Sequence, residues 1–185
     1  GCGFPPFENQ TVKAIVVSGF SGTRKQIDGL CNEVEVQSGN KAYWFRYDEN
    51  GEIVGGIAKF VQPIKDQVVE ALKLEKGCFV GLTAGALLAA QKTAGVLRNK
   101  LGAFCPAHMD KERYEFCWIV DFPMYEIGEE SGELEFCHNP FSMPNGGMEP
   151  LLLAEQGKLD PLSIMADQYD LVCNGVELSS GAVRN

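Results

Sequence analysis

The sequence lacks the segments that would place it in a membrane or direct it to secretion. No uninterrupted apolar run approaches the roughly 20 residues that a transmembrane helix needs. The N-terminal stretch Gly1–Pro6 has neither a basic region nor a signal-like apolar core. The 185 residues are 45% hydrophobic and 10% aromatic, which is typical of a globular protein with one domain or two small ones. We therefore expect no membrane partner.

Paired cysteine motifs are also missing. The seven cysteines are an odd number, and none belongs to a Cys-x-x-Cys motif. Most lie in apolar runs, such as Cys117–Val120 and Leu171–Cys173, which is typical of small buried hydrophobic residues in a reducing compartment. Cys105 and His108 have a spacing that could begin a zinc site, but no second pair follows. We predict a cytoplasmic protein without zinc, and we interpret His108 as structural.

Positive charge is scarce in the second part of the chain. Up to Glu112 the sequence has 13 Lys/Arg and 12 Asp/Glu, whereas from Arg113 onward only 3 Lys/Arg oppose 13 Asp/Glu. A basic nucleic-acid stripe is therefore absent from the second part and at best local in the first. This asymmetry indicates two units of different origin or duty.

The first part of the sequence contains short strands and helices in mixed order. Thr23 followed by Gln26 forms a capping-box pattern at a helix start, and Asn50-Gly51 between two β-type runs predicts a hairpin. Gly102 is interpreted as the stop of the last helix. The predicted strands are 12–17, 42–47, 53–61 and 78–82. Three helices are predicted: the first begins at Thr23, the second covers 67–74 and the third covers about 84–101.

This order of elements predicts an α+β fold. The hairpin requires an antiparallel pair, and no parallel βαβ repeat appears. The economical solution is a small α/β sandwich with one antiparallel sheet and helices on one face. Phe104–Glu112 is interpreted as a linker, so the predicted domains are residues 1–112 and residues 113–185.

The second part has a different pattern, with more strand-like runs. Phe116–Phe122, closed by Pro123, is predicted to join Glu133–Cys137 across a glycine-containing connection. Pro150 suits the first turn of a helix that extends to Gln156. Two further strands, 169–173 and 176–178, flank Asn174-Gly175, which is a turn or a bulge. The sequence is still strand-like at Asn185, so we expect the C-terminus to be a cut rather than a natural end.

Several catalytic motifs are absent. The sequence contains no Gly-x-x-x-x-Gly-Lys-Ser/Thr, no Gly-x-Gly-x-x-Gly and no Gly-x-Ser-x-Gly, so P-loop, dinucleotide-binding and hydrolase-elbow sites lack support. Asp170, Glu177 and Arg184 instead lie among apolar neighbours, where ionised groups are costly unless they are paired or bound. The two carboxylates would suit a hard cation such as magnesium, and the planar guanidinium can hold a carboxylate bidentately. Alternatively, Glu177 and Arg184 simply pair across strands.

The second histidine, His138, lies at a strand-to-loop junction in Cys137–Phe141. A single histidine at such a place is either a hydrogen-bonded structural residue or a contact to a charged group of a substrate. The residues alone leave both interpretations open.

Most of the chain resembles bacterial-type aspartyl-tRNA synthetase, a class II enzyme. The run Asn174–Leu178, followed by an arginine seven residues beyond its glutamate, is highly specific. The other matching stretches of the second part are Phe116–Pro123, His138–Pro144 and Tyr169–Arg184. Three stretches of the first part resemble the GAD domain, which this family carries as an insertion in its catalytic domain: Val12–Ile15, Ser21–Ile27 and Gly56–Phe60.

The resemblance implies a role for each charged residue. Glu177 would contact ATP through Mg²⁺, with Asp170 assisting, and Arg184 would hold the carboxylate of the substrate aspartate. His138 would line the aspartate pocket. Such a site is electrostatically coherent, because the acidic residues hold a cation that neutralises phosphate and the guanidinium selects an acid over an amide. The sequence departs from many relatives at Asn139, a second histidine in those proteins, and at Ser179-Ser180, where glycines are common.

The resemblance also implies an activity and partners. The parent protein would be a cytoplasmic, homodimeric aspartate–tRNA ligase that activates L-aspartate with ATP and transfers it to tRNA. The anticodon-binding barrel and class II motifs 2 and 3 have no counterpart in the 185 residues. We therefore expect a fragment, inactive alone, that contains the GAD insertion and part of an antiparallel-sheet catalytic domain. The alternative is a non-catalytic module that contacts RNA or another protein.

Overall fold

The chain forms two compact units, Gly1–Asp110 (unit 1) and Lys111–Asn185 (unit 2), in a computed structural model. The structure describes residues 2–105, 110, 112–128 and 130–185. His108, and with it the suggested Cys105–His108 spacing, lies outside the described residues. No helix of the described part is long and apolar enough to cross a membrane.

Unit 1 is built on a four-stranded antiparallel sheet. Its elements are β1 (Thr11–Val17), α1 (Arg24–Ser38), β2 (Ala42–Tyr47), β3 (Ile53–Val54), α2 (Ala58–Val61), α3 (Lys65–Leu72), β4 (Cys78–Gly85) and α4 (Leu87–Phe104). The strand order is β1-β4-β2-β3, and β4 pairs antiparallel with β1 on one side and β2 on the other. The α+β class with an antiparallel sheet is therefore confirmed.

Helix α1 begins as its sequence predicts. The Thr23 side chain accepts a hydrogen bond from the Gln26 N–H, while the Thr23 N–H donates to the Gln26 side chain at 2.8 Å. This reciprocal pair satisfies two of the N–H groups that a helix start leaves unpaired. At the other end, Gly39 adopts φ +75° and donates its N–H to Glu35, which ends the helix in the left-handed conformation that glycine tolerates.

Both faces of the unit 1 sheet are covered. On β4, Phe79 belongs to a core beneath α1 and α4, whereas its neighbour Val80 belongs to a second core beneath α2 and α3. Successive strand residues point to opposite faces, and both of these residues are buried. The expectation that helices lie on one face only is therefore wrong, because a central strand that is apolar on both sides needs cover on both.

Two predicted boundaries in unit 1 are also wrong. The strand expected to reach Val61 ends at Val54, because Gly55 and Gly56 adopt φ +75° and +44° and turn the chain into α2. A Cβ on Gly56 would lie 1.8 Å from the carbonyl oxygen of Trp44, so the turn needs glycine there. Helix α4 runs past Gly102 to Phe104, because glycine can also occupy a helical position at modest cost.

Unit 2 contains two small antiparallel sheets. Its elements are β5 (Phe116–Pro123), β6 (Tyr125–Ile127), β7 (Leu134–Phe136), α5 (Glu149–Glu155), β8 (Met165–Cys173) and β9 (Val176–Ala182). One sheet has the order β5-β8-β9, and the other pairs β6 with β7. The expected pairing of the 116–122 and 133–137 strands is therefore wrong. Strand β6, which the sequence reasoning missed, is the partner of β7. Pro150 lies in the first turn of α5, as predicted.

The cysteines are free thiols. Cys78, Cys105 and Cys173 are buried as expected, but Cys117 is exposed. It lies on β5, a strand whose residues are mostly exposed in unit 2 despite their apolar character. An apolar run therefore predicted burial correctly only where a second layer covers the strand.

Candidate functional site

A tight hairpin positions the two acidic residues. Asn174 and Gly175 adopt φ +49° and +82° between β8 and β9, a conformation suited to an Asn-Gly hairpin turn. The Asn174 side chain accepts a hydrogen bond from the Glu115 N–H and donates one to the Arg113 carbonyl, both at 2.9 Å. The turn is thus fixed to the chain that enters β5.

A β-bulge then places both carboxylates on the same face. Asp170 pairs with Ser180, but the register shifts so that Glu177 pairs with Val172. Directly opposed residues share a face, and residues two apart on a strand do so too. Asp170 and Glu177 are therefore diagonal neighbours. Without the register shift, Glu177 would oppose Cys173 and project from the other face.

Neither carboxylate is neutralised within the described part of the chain. The ion pairs found there involve other residues, so the alternative of a Glu177–Arg184 ion pair is not observed. Magnesium is commonly held by one or two carboxylates together with water and substrate phosphates. Two unpaired carboxylates on one face fit that requirement, and the described residues contain no cluster of three or more His, Cys, Asp or Glu suited to a metal.

Arg184 lies against an aromatic ring just beyond β9. Its guanidinium carbon is 4.2 Å from the centroid of the Phe141 ring, and the Asn185 N–H donates to the Phe141 carbonyl at 3.1 Å. Stacking on a ring holds the guanidinium plane while leaving its N–H edge available for a carboxylate. The sequence reasoning did not single out Phe141, although an aromatic residue after Pro140 at a loop is a recognisable signal.

A cleft of about 330 Å³ adjoins this arginine. Asn139, Phe141, Tyr169, Ser180, Gly181, Ala182 and Arg184 line it. A Cβ at position 181 would lie 2.6 Å from the Tyr169 ring, so a larger residue there would displace this ring from the cleft wall. Ser180, which pairs with Asp170, links the arginine end of the cleft to the acidic face.

Backbone hydrogen bonds join three segments next to Arg184. The Met143 N–H donates to the Val183 carbonyl at 2.7 Å, the Val183 N–H to Asp167 at 2.9 Å, and the Asp167 N–H to Met143 at 2.8 Å. This closed ring joins the loop after β7 to β8 and to the chain beyond β9. The loop is therefore part of the same rigid frame as Arg184.

His138 lies beside the cleft rather than in it. The side chain is exposed, and its ring packs edge-on against Phe122 with centroids 5.1 Å apart. The residue next to it, Asn139, lines the cleft. The structure therefore brings Arg184 and Asn139 together and leaves His138 one position away.

The thiol next to His138 is not activated. Burial, followed by the charge and hydrogen bond of Glu126, raises the pKa of Cys137. The thiol is protonated at neutral pH and offers no thiolate nucleophile or metal ligand.

In unit 2, one face of an antiparallel sheet presents two carboxylates, and an arginine stacked on an aromatic ring lies just beyond the last strand. The chain matches the family of class II tRNA synthetases for D, K and N over residues 28–185. It belongs to that family.

Within this family the chain is similar to aspartate–tRNA ligases. It is 42% identical over 187 residues to the aspartate–tRNA ligase of Streptomyces avermitilis, covering 100% of this chain and 31% of the relative. It is 44% identical over 186 residues to the Streptomyces griseus protein, covering 99% and 30%. It is 42% identical over 192 residues to the aspartate–tRNA(Asp/Asn) ligase of Paramagnetospirillum magneticum, covering 100% and 21%. The chain thus spans at most about three tenths of these relatives' lengths.

Proposed function

We propose that this chain is part of an aspartate–tRNA ligase that activates L-aspartate with ATP and transfers it to tRNA. The observation that carries the proposal is the cleft in which Arg184 stacks on Phe141, close to the face that bears Asp170 and Glu177. A cation-binding face and a carboxylate-binding fork are what the first reaction needs, because its two substrates carry phosphates and an acidic side chain.

Arg184 binds the side-chain carboxylate of aspartate. The guanidinium presents parallel N–H donors to both carboxylate oxygens. Asparagine would replace one of these acceptors by an NH₂ group and remove the negative charge, so the arginine discriminates against the amide. His138, next to the cleft residue Asn139, would line the aspartate pocket.

Glu177 and Asp170 would hold Mg²⁺, which would supply positive charge to neutralise the phosphates of ATP. The aspartate α-carboxylate attacks the α-phosphate, an aspartyl-adenylate forms, and pyrophosphate leaves. Glu177 is the principal ligand, and Asp170 assists from the neighbouring strand. Their shared face depends on the bulge in β9. The bulge is therefore a functional element of the hairpin.

We further propose the organisation of the protein. Residues 1–112 correspond to the GAD insertion, and residues 113–185 form part of the class II catalytic domain. The 185-residue chain alone is inactive, and the complete protein is a cytoplasmic homodimer. If the chain instead acted as a non-catalytic RNA-contacting or interaction module, the complete protein would not activate any amino acid.

Aspartate-dependent exchange of pyrophosphate into ATP tests the proposal. The complete protein that contains this chain should catalyse exchange with aspartate and far less with asparagine or glutamate, whereas the 185-residue chain should not. Exchange that is no better with aspartate than with other amino acids would refute the proposal. RNA binding without any exchange would favour the non-catalytic alternative.

A further inference from the structure

Unit 2 buries two polar side chains among its described residues, and they bond to each other. Ser142 is fully buried and Gln168 is 7% exposed. The Gln168 amide nitrogen donates to the Ser142 hydroxyl at 2.7 Å. Burying polar groups is costly unless they are hydrogen-bonded. Such a pair is therefore a specific feature of the fold that fixes one geometry.

The same amide also contacts the other end of a β-turn. Its nitrogen lies 3.4 Å from the Asn139 carbonyl oxygen, and that carbonyl accepts the Ser142 N–H at 3.1 Å. Asn139 and Ser142 are the first and fourth residues of the turn, with Pro140 at the second position, which proline favours. Gln168 thus holds both ends of one turn from the central strand β8.

This turn connects the groups around the proposed aspartate pocket. Asn139, its first residue, lines the cleft and follows His138. Phe141, its third residue, supports the Arg184 guanidinium at 4.2 Å. Ser142, its fourth residue, forms a backbone bridge with Arg184. A shift of the turn would therefore move Arg184 and the cleft residues Asn139 and Phe141 together.

Backbone hydrogen bonds restrain this loop on either side of Asn139, at Cys137 and from Phe141 onward. Met143 is held in the hydrogen-bonded ring with Asp167 and Val183. At Asn139, the Gln168 side chain supplies the hydrogen bond that ties the turn to β8. The Gln168 side chain therefore restrains the first residue of the turn, whose carbonyl otherwise accepts only the Ser142 N–H of the turn itself among the described residues.

We propose that Gln168 is a positioning residue for recognition of the substrate's acidic side chain, which rests on the proposed function. It acts through the turn Asn139–Ser142 and contacts neither substrate. Recognition of a carboxylate by a bidentate fork depends on geometry. Loss of the Gln168 amide should weaken aspartate binding while leaving ATP binding largely unchanged.

Gln168→Met in the complete protein tests this inference, because methionine keeps the length of the side chain and removes its amide donor. In aspartate-dependent exchange, the KM for aspartate should rise about tenfold, while the KM for ATP stays within about twofold. Thr83→Val is the matched control. It removes another buried hydrogen bond, from Thr83 Oγ1 to the Ala90 carbonyl at 3.0 Å in unit 1, and should leave both KM values unchanged.

A second variant supports the test if Gln168→Met does not fold. Ser142→Ala removes the nearer acceptor and keeps the backbone of the turn, so it should raise the aspartate KM selectively but less. Ser142→Thr keeps the hydroxyl, so its aspartate KM should be close to that of the unsubstituted protein. An unchanged aspartate KM, or a parallel change for both substrates, would overturn the role of Gln168. Absence of aspartate-dependent exchange in the unsubstituted protein would instead refute the proposed function.

Discussion

At the scale of single residues, the chemistry of this chain depends on which charged groups remain unpaired. Arg184 stacks on Phe141, and neither Asp170 nor Glu177 takes part in the ion pairs of the described residues. Unpaired charges at a cleft are available to a ligand of opposite charge. The sequence singled out these three residues, the resemblance to the synthetase family gave each an expected role, and the structure adds Phe141 as the ring on which Arg184 stacks.

Arg184→Leu in the complete protein should cost roughly 3–5 kcal/mol of aspartate recognition, because it leaves the substrate carboxylate without its charged partner. Measured by exchange kinetics, the aspartate KM should rise by orders of magnitude. Arg184→Lys retains the charge but loses the planar fork, so its aspartate KM should lie between those of the unsubstituted protein and Arg184→Leu. An aspartate KM unchanged in Arg184→Leu would contradict the assigned role.

Cys31 makes the stability of unit 1 sensitive to alkaline pH. Burial and the nearby Asp28 carboxylate raise its pKa from 9.0 to about 11. The thiol of the unfolded chain ionises at lower pH than the thiol of the folded chain. Its contribution to the free energy of unfolding is therefore fully present below about pH 9 and is lost as pH rises toward 11. The midpoint of chemical unfolding should fall over that window in the unsubstituted protein and fall less in Cys31→Ala. Equal slopes for both would show that the thiol does not contribute.

At the scale of elements, local sequence signals succeeded where a segment carries its own hydrogen-bonding partners. The capping box of α1 and the Asn-Gly turn between β8 and β9 are both present. Signals failed where the outcome depends on another segment. Strand β7 pairs with β6, and β3 ends at Val54, just before Gly55, which lies against the Trp44 ring. Neither contact is encoded within the segment itself.

Thr23→Ala should destabilise unit 1 by about 1 kcal/mol, because it removes the hydroxyl that caps α1. Thr23→Ser keeps the hydroxyl and is the matched control, with a much smaller effect. Chemical unfolding followed by far-ultraviolet circular dichroism measures both. Equal stabilities of Thr23→Ala and Thr23→Ser would show that the capping hydrogen bonds contribute little.

At the scale of the whole molecule, the two units differ in how much core they contain. The two cores of unit 1 comprise nine and seven buried hydrophobic residues, whereas the core of unit 2 comprises three. Strand β5 of unit 2 leaves Phe116, Trp118 and Val120 more than half exposed. Because buried apolar area is the main source of stability, the two units should differ in whether they fold alone.

We predict that residues 1–110 expressed alone unfold cooperatively, whereas residues 111–185 alone do not. Thermal unfolding by circular dichroism and the dispersion of amide proton signals provide the measurement. The 185-residue chain serves as the reference, and its main transition should match that of residues 1–110. A cooperative transition in the isolated second unit would contradict the prediction.

The sequence by itself determined the α+β class, the start of α1, the Asn-Gly hairpin and the membership of a synthetase family. These properties depend on local hydrogen bonding or on a run of consecutive residues such as Asn174–Leu178. Only the tertiary structure decided that helices cover both faces of the first sheet and that a bulge brings Glu177 to the side of Asp170. It alone joined Gln168 to a turn 26 residues earlier. Each of these depends on packing or register between separate segments, which periodicity within one segment does not encode.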